Sequence, residues 1–272
     1  MAIDYAAPGV FTTVRTDQVP LTEGLPADPI GICAAVQQLV IQPTDAPAAG
    51  VSSERLAERN IRPASELLDA LVAQDPSPLH VPRPPDRRVV GTCRHFATLA
   101  TALLRQRGIP ARARCGFGTY FVEGKNVDHW VIEYLDGSRW VRVEVEHLDR
   151  PYVPQSRDLA SGAFLTGGEA WQWYRTGDVD GDLFGVHGVD HAWGVGEIRG
   201  NLIRDLASLH KIETLPWDEW GRMDDSYHGR TNDDFDHLMD RIAAACAPDA
   251  PTAEIDAVYT TEDLPVPATL LP

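Results

Sequence analysis

Of the four cysteines in the chain, Cys93 alone opens an apolar helical stripe. Phe96 and Ala97 follow it at i+3 and i+4, and Leu99, Ala100, Leu103 and Leu104 continue the face, so the spacing predicts a buried helix. Gly108 stands where such a helix stops, with Pro110 beyond. A thiol in a first helical turn sits among unpaired backbone N–H groups at the positive end of the dipole, which favours thiolate, and Arg94 is next in sequence. The partner chemistry lies downstream, where HWVIEYL (129–135) and WVRVEVE (140–146) flank Asp136-Gly137, a hairpin signal. With Asp136-Gly137 as a two-residue turn, Leu135 faces Ser138 and His129 faces Glu144, with Cβ atoms about 4.5–5.5 Å apart. An odd-length loop would put a valine there instead. Glu146 is the fallback acid, and Asp128 a weaker one because alternation sends it to the other face. A cysteine at a helix start with a carboxylate-held histidine on a neighbouring strand is what nucleophilic cysteine catalysis requires. The plain alternative is a buried cysteine beside a surface cross-strand pair.

These three residues need a helix, a strand and a hairpin in that order, and the segment 91–146 supplies them, with ARARCGFGTYF alternating from Ala111 to Phe121. Before it come an expected N-terminal arm over 1–27, a helix capped by Asp28 with Pro29 at its first position, a second helix near 64–73, and a proline-rich loop. After it, 150–200 reads as loop, with helices near 202–210 and 233–246 and an extended, Pro-rich acidic tail over 247–272. The expected organisation is a domain over 28–221 with its core at 91–146, a C-terminal helix within 222–246, and the tail.

Composition narrows the partners. A net charge of −16 disfavours nucleic acid, and no apolar run is long enough to span a membrane. The N-terminus lacks the basic head and apolar centre of a secretory signal, so a cytoplasmic address is expected. Against that acidic background, residues 81–114 hold eight arginines and one acid, a local field expected to favour the Cys93 thiolate and to suit an anionic substrate or a phosphopantetheine arm. The cysteines form no CxxC pair, so no structural zinc site or disulfide framework is indicated. DVDGDLFGVHGV (178–189) lacks the glycine and the closing acid of a calcium loop, and His187 with His191 lacks a third metal ligand. Trp171, Trp173 and Trp193 gather with Arg175, Arg199 and Asn201, more in keeping with core packing than with an acyl-binding groove.

The run GTCRHFATLATALLRQRGIPARARCGFGTYF followed by DHWVIEYLDGSRWVRVEVE resembles the transglutaminase-like superfamily. There a small-residue turn and a nucleophilic cysteine open a helix ending in GIPAR, and a histidine-aromatic strand and a tryptophan strand ending in an acid follow. GEAWQWYR and IRGNLIRDLASLHKIETLPWDEWG resemble the extension of a bacterial subgroup. The resemblance implies Cys93 as nucleophile, His129 as general base and acid, and Glu144 where the family usually has aspartate, a departure that keeps Glu146 open as the acid. It also implies an α+β fold of papain-like type, with the catalytic helix packed on an antiparallel sheet, and no cofactor or metal. The expected function is cysteine-dependent acyl transfer on an amide or thioester, with water or an amine as acceptor. Two alternatives are a carrier-protein-dependent amide synthase and a non-catalytic binding module that retains the fold.

Overall fold

A computed structural model describes residues 3–272, so residues 1 and 2 of the expected N-terminal arm lie outside it. Asp28 accepts a hydrogen bond from the Gly31 N–H and starts α1 (Pro29–Gln37), and α2 spans Ala64–Gln74. Two short strands, β1 (Val40–Ile41) and β2 (Val89–Val90), pair in parallel and lead the chain into α3 (Cys93–Gln106). Gly108 adopts φ +73° just past α3, the left-handed conformation a helix stop favours.

The central sheet holds β3 (Ala111–Val122), β4 (Lys125–Asp136), β5 (Arg139–Val143) and β6 (Phe164–Thr166) in the order β5-β4-β3-β6, all antiparallel, with β7 (Phe184–Gly185) added to β4 in parallel. α3 packs with α1 and α2 on one face, over Ala111, Ala113, Trp130, Ile132 and Val143. The other face is covered by α4 (Gly167–Thr176) and α5 (Val195–Leu209), with α7 (Asp233–Ala245) packed on both and α6 (Arg222–Tyr227) against α5. The fold is α+β, as the resemblance implies.

Three details differ from expectation. The β4–β5 ladder pairs Asp136 with Arg139 and Leu135 with Trp140, so the turn is Gly137-Ser138 and the register is displaced by two residues. Gly137 supplies the positive φ of +61° that the turn requires. The segment 150–200, expected as loop, contains β6 and α4, because Thr166 and Glu169 form a capping box around a helix that buries Ala170 and Trp171. The closing segment, expected to be extended, holds α8 (Thr252–Tyr259), which buries Ile255 and Tyr259 beside α5 and α7.

Candidate active site

Cys93 is the first residue of α3, and the cap that starts the helix is unusual. Thr92 is the N-cap, and its backbone N–H donates to Nδ1 of His95 (3.0 Å), the role usually filled by Glu or Gln three residues into a helix. Nε2 of His95, which must then carry the proton, donates to the Ile61 carbonyl (3.1 Å). Burial pushes His95 down to about 3, so the ring stays neutral and serves as a fixed acceptor. This lock sets the first turn of α3 and hence the position of the Cys93 sulfur.

His129 lies on β4, and its Nε2 is 2.7 Å from Oε2 of Glu144. Direct opposition of the two is not how they meet. Continued beyond Val143, the observed register would set Glu146 across from His129, but β5 ends there and the Glu144 N–H donates instead to Ser156 (2.9 Å). Glu144 thus reaches His129 from a position two residues earlier, a span that suits glutamate's extra methylene over aspartate. A displacement of two preserves the face, which is why the pairing survives the shifted register. Oε2 of Glu144 also accepts from the Tyr120 hydroxyl of β3, and Oε1 accepts from the His147 N–H (3.1 Å). Nothing in the sequence links Tyr120 to Glu144 before the sheet is known.

With Nε2 committed to Glu144, Nδ1 is the nitrogen left to face Cys93. The ligating atoms of Cys93, His129 and Glu146 all lie within 4.8 Å of one another. Burial alone would lower His129, but the Glu144 carboxylate overrides it and holds the imidazole well above its ordinary value. Burial would likewise raise Glu144, yet His129 holds it at about 2. Burial pushes the Cys93 thiol up, opposed by its hydrogen bond with His129.

The expected contribution of the arginines fails. Arg94 points away from Cys93, buried against the Glu213 and Arg62 carbonyls. Arg105 pairs with Glu213 (3.1 Å), and Arg112 and Arg114 pair with Glu133 on the far side of the sheet. A cavity of about 370 Å³ opens at Cys93, and none of the eight arginines lines it. Its walls are instead Gln42, Phe121, Val122, Val127, Asp128, His129, Glu146, His147 and His187. Asp128, expected on the opposite face, reaches this cavity and is held by Asn201 Nδ2 (2.7 Å). Trp171, Trp173 and Trp193 are not among the cavity residues: Trp171 is buried beneath Arg175 and Arg199, and Trp193 lies under Lys125. The other cysteines, Cys33, Cys115 and Cys246, are buried away from it, each with its thiol pushed up by burial.

Gly116 on β3 pairs with His129 and also with Thr166 of β6. A Cβ there would come within 2.0 Å of the Leu165 carbonyl oxygen, so only glycine lets β6 close beside the histidine.

Comparison with known proteins adds one family. Residues 73–145, which contain Cys93, His129 and Glu144, match the core model of the transglutaminase-like superfamily. No curated protein matches. A solved structure named as a candidate cysteine protease from Cytophaga hutchinsonii is similar at 15% identity and a TM-score of 0.36, over 60% of this chain and 44% of that one.

Proposed function

We propose, for a chain whose residues 73–145 match the core model of the transglutaminase-like superfamily, a specific chemistry: acyl transfer through a thioester formed on Cys93. The observation that carries it is the buried Cys93–His129–Glu144 series, whose cysteine and histidine line one cavity while Glu144 holds the histidine from behind. Glu144 keeps His129 oriented and favours imidazolium, so the thiol proton can pass to Nδ1 as sulfur attacks. Sulfur attacks an amide or thioester carbonyl, and the C–S bond to the enzyme forms. The developing oxyanion is held by the Cys93 N–H, one of the unpaired donors of the first turn of α3, with the Gln42 amide on the cavity wall as second donor. The bond to the leaving amine or thiol then breaks, and His129 returns its proton to that group. Water or an amine attacks the thioester, gives its proton to His129, and restores the thiol. The superfamily core and this geometry support a peptide or amide acyl donor; the acceptor decides between hydrolysis and transfer.

The test is intact-mass spectrometry of the protein mixed with a panel of amides and thioesters. Wild type is expected to gain one acyl group, lost with time to water or faster on adding an amine, and Cys93→Ala to gain none. Acylation persisting in Cys93→Ala, or absent from wild type across the panel, would overturn the reading.

A further inference from the structure

One charged wall of the cavity is not used by the acyl chemistry. Glu146 is buried; its Oε1 accepts from Gln42 Nε2 (2.5 Å) and lies 3.2 Å from Nε2 of His147. Its Oε2 is shut away from solvent with no hydrogen-bond partner. A carboxylate oxygen left buried and unpaired is destabilising, which a cation meeting it would offset. The same side chain is the third member of the Cys93, His129 and Glu146 group, all three buried.

That set is one sulfur, one imidazole nitrogen and one carboxylate oxygen, the mixture that suits Zn²⁺ rather than Mg²⁺ or Ca²⁺. Zinc bonds of about 2.0–2.3 Å put the tetrahedral ligand atoms of such a set about 3.3–3.6 Å apart, so side-chain atoms within 4.8 Å need to close by about 1.5 Å at most. His129 is already arranged as zinc-bound histidines are, because Glu144 holds its Nε2 and leaves Nδ1 to ligate. The fourth position would face the cavity, where His147 and His187 also stand.

We propose that Cys93, His129 and Glu146 form a Zn²⁺ site that competes with substrate for the nucleophile. Zn²⁺ replaces the thiol proton, and the Nδ1 proton wherever the imidazole carries one, both leaving to solvent, and takes electron pairs from Cys93 Sγ, His129 Nδ1 and a Glu146 carboxylate oxygen. While sulfur is metal-bound it forms no bond to an acyl carbon, so the metal acts as a reversible latch. The inhibitory consequence rests on the acyl-transfer reading above; the binding site itself does not.

The experiment titrates the full, chelator-stripped chain with Zn²⁺ alone, and with Co²⁺ as a spectroscopic stand-in. Expected are one metal per chain, a near-ultraviolet thiolate-to-cobalt charge-transfer band, and protection of Cys93 from iodoacetamide that chelator reverses. Zn²⁺ affinity rises at least tenfold per pH unit while the thiol gives up its proton on binding. Glu146→Gln, checked for folding by its metal-free thermal unfolding, loosens Zn²⁺ at least tenfold. Unchanged affinity in Glu146→Gln, Cys93 alkylated equally fast with Zn²⁺ bound, or no charge-transfer band each overturns the site. Metal binding with these signatures but no acyl-enzyme would leave the site standing and remove the acyl-transfer reading. Acyl-enzyme formation indifferent to Zn²⁺ would remove the latch.

Discussion

Glu144 is held by three donors from different parts of the chain: His129 on β4, the Tyr120 hydroxyl on β3, and the His147 N–H beyond β5. A carboxylate so enclosed can stabilise an imidazolium without reorganising, which is the condition for electrostatic help in a transition state. Glu144→Gln removes the charge while keeping the size. His129 is expected to fall toward or below its ordinary value, the imidazolium formed as the thiol gives up its proton to lose its support, and acyl-enzyme formation at neutral pH to slow about 10²–10⁴-fold. Rapid-quench kinetics would check this, and a loss under tenfold would mean Glu144 does not support the histidine. Cys93, His129 and both candidate acids were legible in the sequence because helix and strand periodicity assign faces. The choice between Glu144 and Glu146 was not, because it turns on a register displaced by two residues and on a strand that stops at Val143. The arginine reading failed for a different reason: a local charge count does not say which way a side chain points, and Arg94 points into backbone carbonyls.

The element that holds the site in place is β3, clamped from behind by a buried ionic network. Arg114 binds Asp205 of α5 through two hydrogen bonds (2.9 and 2.7 Å) and Glu133 of β4 through a third (3.0 Å), while Arg112 and Arg142 also reach Glu133. The alternation of ARARC announced a strand, but Arg114 reaches Asp205 of α5, 91 residues on, which no local pattern reveals. Removing one member leaves buried charges without a partner, a cost of about 3–5 kcal/mol. Arg114→Ala is therefore expected to lower unfolding free energy by that amount in a denaturant titration and to loosen α5 from the sheet. A cost below 1 kcal/mol would show that the network is dispensable. Within the same strand, Gly116 allows β6 to pass the histidine at a distance no other residue permits.

Across the whole molecule, buried groups weaken the fold at acid pH, His95 and Glu144 at the site and Glu133, held low by the arginines around it, in the ionic network. His95 is held neutral down to about 3, whereas in the unfolded chain it takes a proton near 6.5, so folding loses stability as pH falls through that window. Glu144, depressed to about 2 from 4.5, adds stability above 4.5 that disappears as pH falls toward 2. His129, raised, acts on the other side, stabilising below its unfolded value and losing that contribution as pH rises through its folded one. The melting temperature should decline from pH 7 to pH 3, and His95→Gln, which can still cap the helix, should flatten the part between about 6.5 and 4.5. A melting temperature independent of pH over that range would contradict the buried neutral ring. No helix among the described residues is long and apolar enough to cross a membrane. The three remaining cysteines have a use that their burial creates. Cys33 sits in α1 and Cys115 in β3 within the core on one side of the sheet, and Cys246 follows α7 in the core on the other. Each is a thiol that reagent reaches only when its own layer opens, so pulsed alkylation followed by peptide mapping would time the release of the two halves separately. The chain carries its own unfolding clock, with no label to introduce.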